Sequence, residues 1–136
     1  MIDIQETLEP LQLPPGEFVV IGGAVLQQLG IRPAYDLDIA VPDETFERLI
    51  SLPGWQEVRK YGLLPNRVRA TYGLIDAGIG WGEWNMDELF DDAMRFEEVA
   101  FASLDKIVEW KRQRNRIKDR QDIDLISRYQ ATEGQH

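Results

Sequence analysis

The chain has 136 residues, of which 43% are hydrophobic and 29% are charged, a composition that predicts one globular domain over residues 1–136. Because it contains no cysteine, disulfides, thiolate metal sites and cysteine nucleophiles are excluded. The only histidine is His136, the last residue, so the sequence offers no internal histidine for a zinc cluster or for a catalytic base.

The N-terminal segment, MIDIQETLEP, is acidic and lacks the basic and apolar regions of a signal peptide. No apolar run approaches the roughly 18 residues that a membrane span needs. We therefore expect a cytoplasmic protein without a membrane partner.

The net charge of −9 is unevenly distributed. Residues 1–105 carry 7 Lys and Arg against 19 Asp and Glu, whereas residues 106–128 carry 8 against 4. The acidic first part argues against broad contact with a nucleic-acid backbone. The basic segment KIVEWKRQRNRIKDR is either the solvated face of a charged helix or a site that holds a few phosphates.

The first half of the chain alternates between helix-like and strand-like patterns. Apolar periodicity, Gly and Pro predict a helix over 3–12, a strand over 18–21, two helical turns over 24–29, a strand over 37–41, a helix capped by Asp43, and a strand over 55–60.

The second half begins with a predicted hairpin. Its strands cover residues 67–72 and 74–79, with Gly73 as the turn. Residues 80–95 are turn-rich and acidic and give no clear prediction. Ser103 is a plausible N-cap for a helix, and a last helix is predicted over 118–129. The whole pattern predicts an α/β (α+β) fold.

The motif Asp36-Leu37-Asp38 opens the second predicted strand. Residues i and i+2 of a strand point to the same face, so both carboxylates converge while Leu37 and Ile39 point into the core. Paired carboxylates of this kind hold the divalent cations of phosphoryl transfer, and Mg²⁺ (or Mn²⁺) fits their oxygen ligands. Alone, an Asp-x-Asp motif is more often an exposed strand end.

Asp76 lies inside the otherwise apolar strand LIDAGIG. If this strand neighbours the strand of Asp36 and Asp38, Asp76 completes a cluster of three carboxylates. It would then act as a metal ligand or as the general base for an acceptor hydroxyl. The alternative is a solvent-facing residue near a strand end.

Gly22 and Gly23 follow the first predicted strand. They form either a simple strand-to-helix turn or a place where bare backbone approaches a phosphate. The surroundings match neither a Walker A loop nor a dinucleotide-binding fingerprint. Two further alternatives stay open: Trp81 and Trp84 stack on a base or pack in the core, and Arg32 reaches the site or is solvated.

The stretch GGAVLQQLGIRPAYDLDIAV resembles the signature of the nucleotidyltransferase superfamily, which has the polymerase-beta-like fold. That signature is Gly-Gly or Gly-Ser, a spacer, and Asp-x-Asp between apolar residues, with a third carboxylate on a later strand. Asp76 fits the third position. The resemblance implies a minimal fold of this type, a mixed β-sheet flanked by helices with C-terminal helices packed on it.

The tail VAFASLDKIVEWKRQRNRIKDRQDIDLI resembles the closing segment of small nucleotidyltransferase-like proteins related to abortive-infection toxins. The matching residues are Ser103, Leu104, Lys111, Arg116, Lys118, Asp119 and Asp122. The resemblance covers roughly residues 16–128. It implies that Asp36, Asp38 and Asp76 are catalytic and bind metal, that Gly22 and Gly23 bind the triphosphate, and that Lys111 or Lys118 neutralises phosphate charge.

We therefore expect a metal-dependent nucleotidyltransferase that moves a nucleoside monophosphate from an NTP to an acceptor hydroxyl of a protein, a tRNA or a small molecule. A toxin–antitoxin setting, a protein partner and a homodimer are compatible with this hypothesis. The alternative is a catalytically silent module of the same fold that binds nucleotide or a partner protein.

Overall fold

The computed structural model describes residues 1–60 and 67–133, which form a mixed α/β fold around one sheet. In chain order the elements are α1 (Ile4–Leu8), 3₁₀ turns at Glu9–Leu11 and Pro15–Glu17, β1 (Val19–Ile21), α2 (Gly23–Gln28), β2 (Leu37–Val41), α3 (Asp43–Ile50), β3 (Gln56–Lys60), β4 (Arg67–Tyr72), β5 (Ile75–Ile79), α4 (Met86–Asp91), β6 (Met94–Phe96), β7 (Val99–Phe101), α5 (Leu104–Arg114) and α6 (Ile117–Glu133).

The described strands form one seven-stranded sheet in the order β3-β4-β5-β2-β1-β7-β6. The pairs β2–β5 and β1–β7 are parallel, and the other four neighbouring pairs are antiparallel. Since β1 and β2 are antiparallel, the end of β1 lies beside the beginning of β2. The parallel strand β5 begins at the same edge of the sheet. This arrangement brings the ends of three strands together at one place.

The central strands supply most of the core. Every residue of β1 is buried, and in β2 Leu37 and Ile39 are fully buried while Asp38 between them is partly exposed. Ile107 of α5 and Ile126 of α6 belong to the same buried cluster. The predicted mixed sheet with helices on its faces and C-terminal helices packed against it is therefore confirmed.

Several boundaries differ from the prediction for physical reasons. The helix expected over 3–12 ends at Leu8 and continues as a 3₁₀ turn that contains Pro10, because proline has no N–H to continue the α-helical ladder. Pro42, rather than Asp43, precedes α3, and Asp43 lies in the first turn, where the helix dipole favours an acid. The last helix begins at Ile117 and extends to Glu133.

The segment that gave no clear prediction contains ordered structure. Asn85 and Glu88 form a reciprocal capping box at the start of α4, and the short strands β6 and β7 follow. Such short elements leave little periodic signal, and the strand β7 is only three residues long. In residues 1–60 and 67–133, no helix has the length and apolar character needed to cross a membrane.

Replacing Ile107 by alanine tests the packing of α5. Its side chain is fully buried, so Ile107→Ala should lower the free energy of unfolding by about 2–5 kcal/mol through lost burial and the cavity left behind. Ile117→Ala is the matched control, because Ile117 is 69% exposed and should change stability by about 0.5 kcal/mol or less. Urea denaturation measures both, and equal effects would contradict the packing described.

Candidate active site

A polar cleft of about 350 Å³ opens where β1 ends and β2 and β5 begin. On the sheet side it is lined by the Gly22-Gly23 turn, by Asp36, Asp38 and Asp76, and by Arg69 of β4. The opposite wall comes from α5, α6 and the loop between them. That wall contributes Ile107, Trp110, Lys111, Arg114, Arg116 and Lys118.

The glycine pair lies between the carboxylate of Asp38 and the guanidinium of Arg32. Gly22 has φ 69° and ψ −147°, a backbone conformation that residues other than glycine rarely adopt. A Cβ built on Gly22 would lie 2.8 Å from Oδ2 of Asp38. A Cβ on Gly23 would lie 3.3 Å from Nη2 of Arg32. The absence of side chains therefore lets the backbone of the turn approach the Asp38 carboxylate closely on one side and the Arg32 guanidinium on the other.

Asp38 and Asp76 are direct neighbours in the sheet. They are register partners in the parallel pair β2–β5, as the sequence predicted if these strands were adjacent, and each carboxylate is 29% exposed. Asp36 lies two residues before Asp38, outside the strand, and is exposed. All three candidate carboxylates therefore line one cleft, at different depths.

Arg69 accompanies the acid pair. Its Nε donates to Oδ1 of Asp76 at 2.7 Å, and its Nη2 lies 3.9 Å from Oδ1 of Asp38. Burial raises the pKa of Asp38 to about 6, with the charges of Asp36 and Asp76 adding to the rise and Arg69 opposing it. The fold thus places an acid where its negative charge is only partly compensated.

The donor set of this edge suits a hard cation. Carboxylate oxygens are the ligands that Mg²⁺ and Mn²⁺ prefer, and a cation beside Asp38 would offset the burial, and the lesser repulsion by Asp36 and Asp76, that raise the pKa of Asp38. The carboxylates of Asp36 and Asp38 are therefore suitable ligands for Mg²⁺ or Mn²⁺. However, in residues 1–60 and 67–133 no three His, Cys, Asp or Glu side chains form a group that could hold a metal ion. The three-carboxylate metal site stays a prediction.

The far wall is organised by the buried carboxylate of Asp122 on α6. It accepts two hydrogen bonds from Arg32, at 2.7 and 2.9 Å, and one from Nζ of Lys111 at 2.9 Å. These bonds hold the pKa of Asp122 below its usual range despite its burial. Since Arg32 follows α2 and Lys111 lies on α5, one carboxylate joins three parts of the chain.

Asp119, one helical turn before Asp122, is the second buried acid of this wall. Arg114 donates to it at 2.7 Å, and Arg116 donates through its backbone N–H and its guanidinium at 3.1 and 2.9 Å. These bonds hold the pKa of Asp119 far below its usual range. These charge-assisted hydrogen bonds therefore fix the end of α5 and the loop that follows it, where Arg114 and Arg116 line the cleft.

The two lysines expected to neutralise phosphate differ in their surroundings. Lys111 is buried and paired with Asp122, and burial lowers its pKa. Lys118 is exposed and makes no ion pair with any described residue. Lys118 is thus available to a ligand, whereas Lys111 already serves Asp122.

Sequence reasoning missed Arg69 and Arg114 as cleft residues and left Arg32 undecided. A signal existed for Arg32: Asp119 and Asp122 are spaced to share one face of a helix, and buried acids need cationic partners. For Arg69 the cross-strand register was needed, and periodicity alone does not give it.

The tryptophans support the packing alternative. Trp81 is 4% exposed, and its ring centroid lies 5.4 Å from that of Trp84 and 5.1 Å from that of Trp110. This aromatic cluster joins the segment after β5 to helix α5, and Trp81 and Trp110 line part of the cleft.

Comparisons of the chain with protein-family models, with curated proteins and with solved structures found no match.

Replacing Asp122 by asparagine tests the buried network. The variant leaves Arg32 and Lys111 facing a neutral amide in a buried place, so the free energy of unfolding should fall by about 3–5 kcal/mol. Asp124→Asn, two residues along α6, is the matched control, since its pair with Arg128 is 61% and 74% exposed and should be worth about 0.5 kcal/mol or less. Chemical denaturation at pH 7 compares them, and similar losses would refute the role given to Asp122.

The raised pKa of Asp38 predicts a pH-dependent stability difference. A carboxyl whose pKa is raised by folding binds its proton more tightly in the folded state, so stability falls as the pH rises from about 4 through about 6. Asp38→Asn lacks this loss and should be more stable than the native chain by about 1–2 kcal/mol at pH 8, with a smaller difference near pH 4. Asp91→Asn, at an exposed acid at the end of α4, is the control. A constant difference between pH 4 and 8 would contradict the prediction.

Proposed function

We propose that this protein is a metal-dependent nucleotidyltransferase that transfers a nucleoside monophosphate from an NTP to an acceptor hydroxyl. The observation that carries the proposal is the juxtaposition of the Asp38–Asp76 pair, the Gly22-Gly23 turn and a cationic wall in one cleft. Six cationic side chains and three carboxylates of the described residues line it, a combination suited to a polyanion that carries a divalent cation.

In this proposal Asp36 and Asp38 would hold Mg²⁺ or Mn²⁺, which would neutralise phosphate charge when bound. The bare backbone at Gly22 and Gly23 would let the triphosphate approach the sheet edge. On the far wall, Lys118 is free of ion pairs with described residues, and it would meet the phosphates directly.

The reaction would join the acceptor oxygen to the α-phosphorus while the bond from that phosphorus to the oxygen of the β-phosphate breaks. Pyrophosphate leaves with the electron pair of that bond. The proton of the acceptor hydroxyl passes to a carboxylate of the cleft, and Asp76 is our candidate for this base. The acceptor itself, whether protein, tRNA or small molecule, approaches from the open side.

A second function, binding without transfer, is favoured by one specific observation. Arg69 lies within 2.7 Å of Asp76 and 3.9 Å of Asp38, where it already compensates the charges that a catalytic metal would use. A silent module of this kind would bind an NTP or a partner protein. Calorimetry with ATP, CTP, GTP and UTP and Mg²⁺ would then show binding, while labelled triphosphates would give no product.

Replacing either acid of the Asp-x-Asp motif tests transfer. With α-labelled NTPs, Mn²⁺ or Mg²⁺ and candidate acceptors, Asp36→Asn and Asp38→Asn should each lower the rate at least about 100-fold, because loss of an outer-shell group alone costs roughly 10–100-fold at metal sites. Asp91→Asn, outside the cleft, should retain the native rate. Native rates in both cleft variants would overturn the catalytic proposal.

A further inference from the structure

The three carboxylates of the cleft differ in their cationic partners, because Arg69 is hydrogen-bonded to Asp76 and to neither of the other two. Its Nε donates to Asp76 at 2.7 Å, which is a charge-assisted hydrogen bond, whereas its nearest approach to Asp38 is 3.9 Å. Asp36 is exposed and has no ion-pair partner among the described residues. One acid is therefore already committed to a fixed cation, and the two acids of the Asp-x-Asp motif are not.

The sheet register makes this pairing a built-in feature. Arg69 of β4 lies opposite Gly78 of β5, two residues from Asp76, so both side chains are on the same face of the sheet. A Cβ on Gly78 would lie 3.9 Å from Cγ of Arg69 and 4.0 Å from its Nε. The arginine thus runs over the glycine toward Asp76. Both side chains line the cleft, and the Arg69 side chain is only 21% exposed.

We propose that Arg69 takes the place of a second metal ion at this site, so that the cleft binds a single divalent cation on Asp36 and Asp38 while Asp76 serves as the partner of the guanidinium. The inference rests on the proposed function for the identity of the cation site. It goes beyond that function because it assigns the metal stoichiometry and gives Arg69 a role of its own. The sequence allowed Asp76 to be either a metal ligand or the general base. This proposal excludes the role of metal ligand and keeps the role of general base.

The charge count of the cleft agrees with this assignment. A second divalent cation at Asp76 would lie against a guanidinium that is itself fixed by a short hydrogen bond, and like charges at such distances repel strongly away from bulk water. Arg69 is farther from Asp38, at 3.9 Å, than from Asp76, at 2.7 Å, so a single cation on Asp36 and Asp38 would be repelled less by the guanidinium.

Mn²⁺ binding to the 136-residue chain without nucleotide tests the proposal, with free Mn²⁺ measured by its paramagnetic resonance signal. The native chain should bind one Mn²⁺. Asp36→Asn and Asp38→Asn should each weaken binding at least about ten-fold, since each removes a ligand. The informative variant combines Arg69→Gln with Asp76→Asn, which neutralises both members of the pair and leaves the net charge unchanged. It should bind one Mn²⁺ with an affinity within about three-fold of the native value.

Three results for the native chain and the double variant would overturn the proposal: two Mn²⁺ ions per native chain, no Mn²⁺ bound by the native chain, or a loss of affinity of more than about three-fold in the double variant. Arg69→Gln alone should gain affinity or a second Mn²⁺, because it frees the Asp76 carboxylate, and an unchanged affinity and stoichiometry would also count against the proposal. Circular dichroism melting shows whether each variant is folded, and Arg69→Lys supplies a charge-retaining alternative that should behave like the native chain.

This experiment is independent of the transfer assay. If transfer is absent but the native chain and the double variant each bind one Mn²⁺, the proposed function fails and the assignment of Arg69 stands. If transfer occurs and the double variant loses Mn²⁺, Asp76 is a metal ligand and the assignment of Arg69 fails while the function stands.

Discussion

The structure depends on one buried carboxylate, that of Asp122. Two cationic side chains from distant parts of the chain, Arg32 and Lys111, both pair with it. Removing the Asp122 carboxylate would leave these two positive charges without their partner, at a largely buried site. The guanidinium of Arg32 lies beside Gly23, and Lys111 lies on α5. The Asp122 carboxylate therefore holds the C-terminal helices at a set distance from the glycine turn. This contact links the two walls of the cleft, since Arg32 lies beside the glycine turn and Lys111 lies on the helical wall.

A second balance of charge operates across the cleft. On the sheet side, Arg69 compensates Asp76 closely and Asp38 only partly, so that the pKa of Asp38 is raised. On the helical side, each buried acid is saturated with cations and its pKa is depressed. The helical wall consequently contributes to stability at neutral pH, whereas Asp38 subtracts from it. Residues that lower stability in this way are commonly retained for function, and Asp38 is the acid of this cleft that meets that description.

The sequence allowed most of the sheet to be predicted, because β1, β2 and β5 are buried apolar runs that end at glycine or proline. It also placed Asp38 and Asp76 together once the two strands were assumed to be neighbours, and the register confirms that assumption. What it could not supply was the partner of each charge. Arg69 meets Asp76 through a diagonal cross-strand contact, and Arg32 meets Asp122 across 90 residues of chain. Such contacts follow from tertiary packing, on which local periodicity carries no information.

The same contacts change what Lys111 can do for an anionic ligand. Its ammonium is 2.9 Å from Asp122 and 3.8 Å from Asp119, so a phosphate would have to compete with two buried carboxylates for it. Lys118 faces no such competition from described residues, and the side chain of Arg116 is 56% exposed although it is paired with Asp119. A polyanion that binds the cleft, as we propose, would therefore first meet Arg116 of the loop and Lys118 at the start of α6. Lys111 would act indirectly, because it pairs with Asp122, which in turn holds Arg32 beside the glycine turn. In this arrangement the buried lysine would support the shape of the cleft, and the exposed cations would be the groups that attract phosphate.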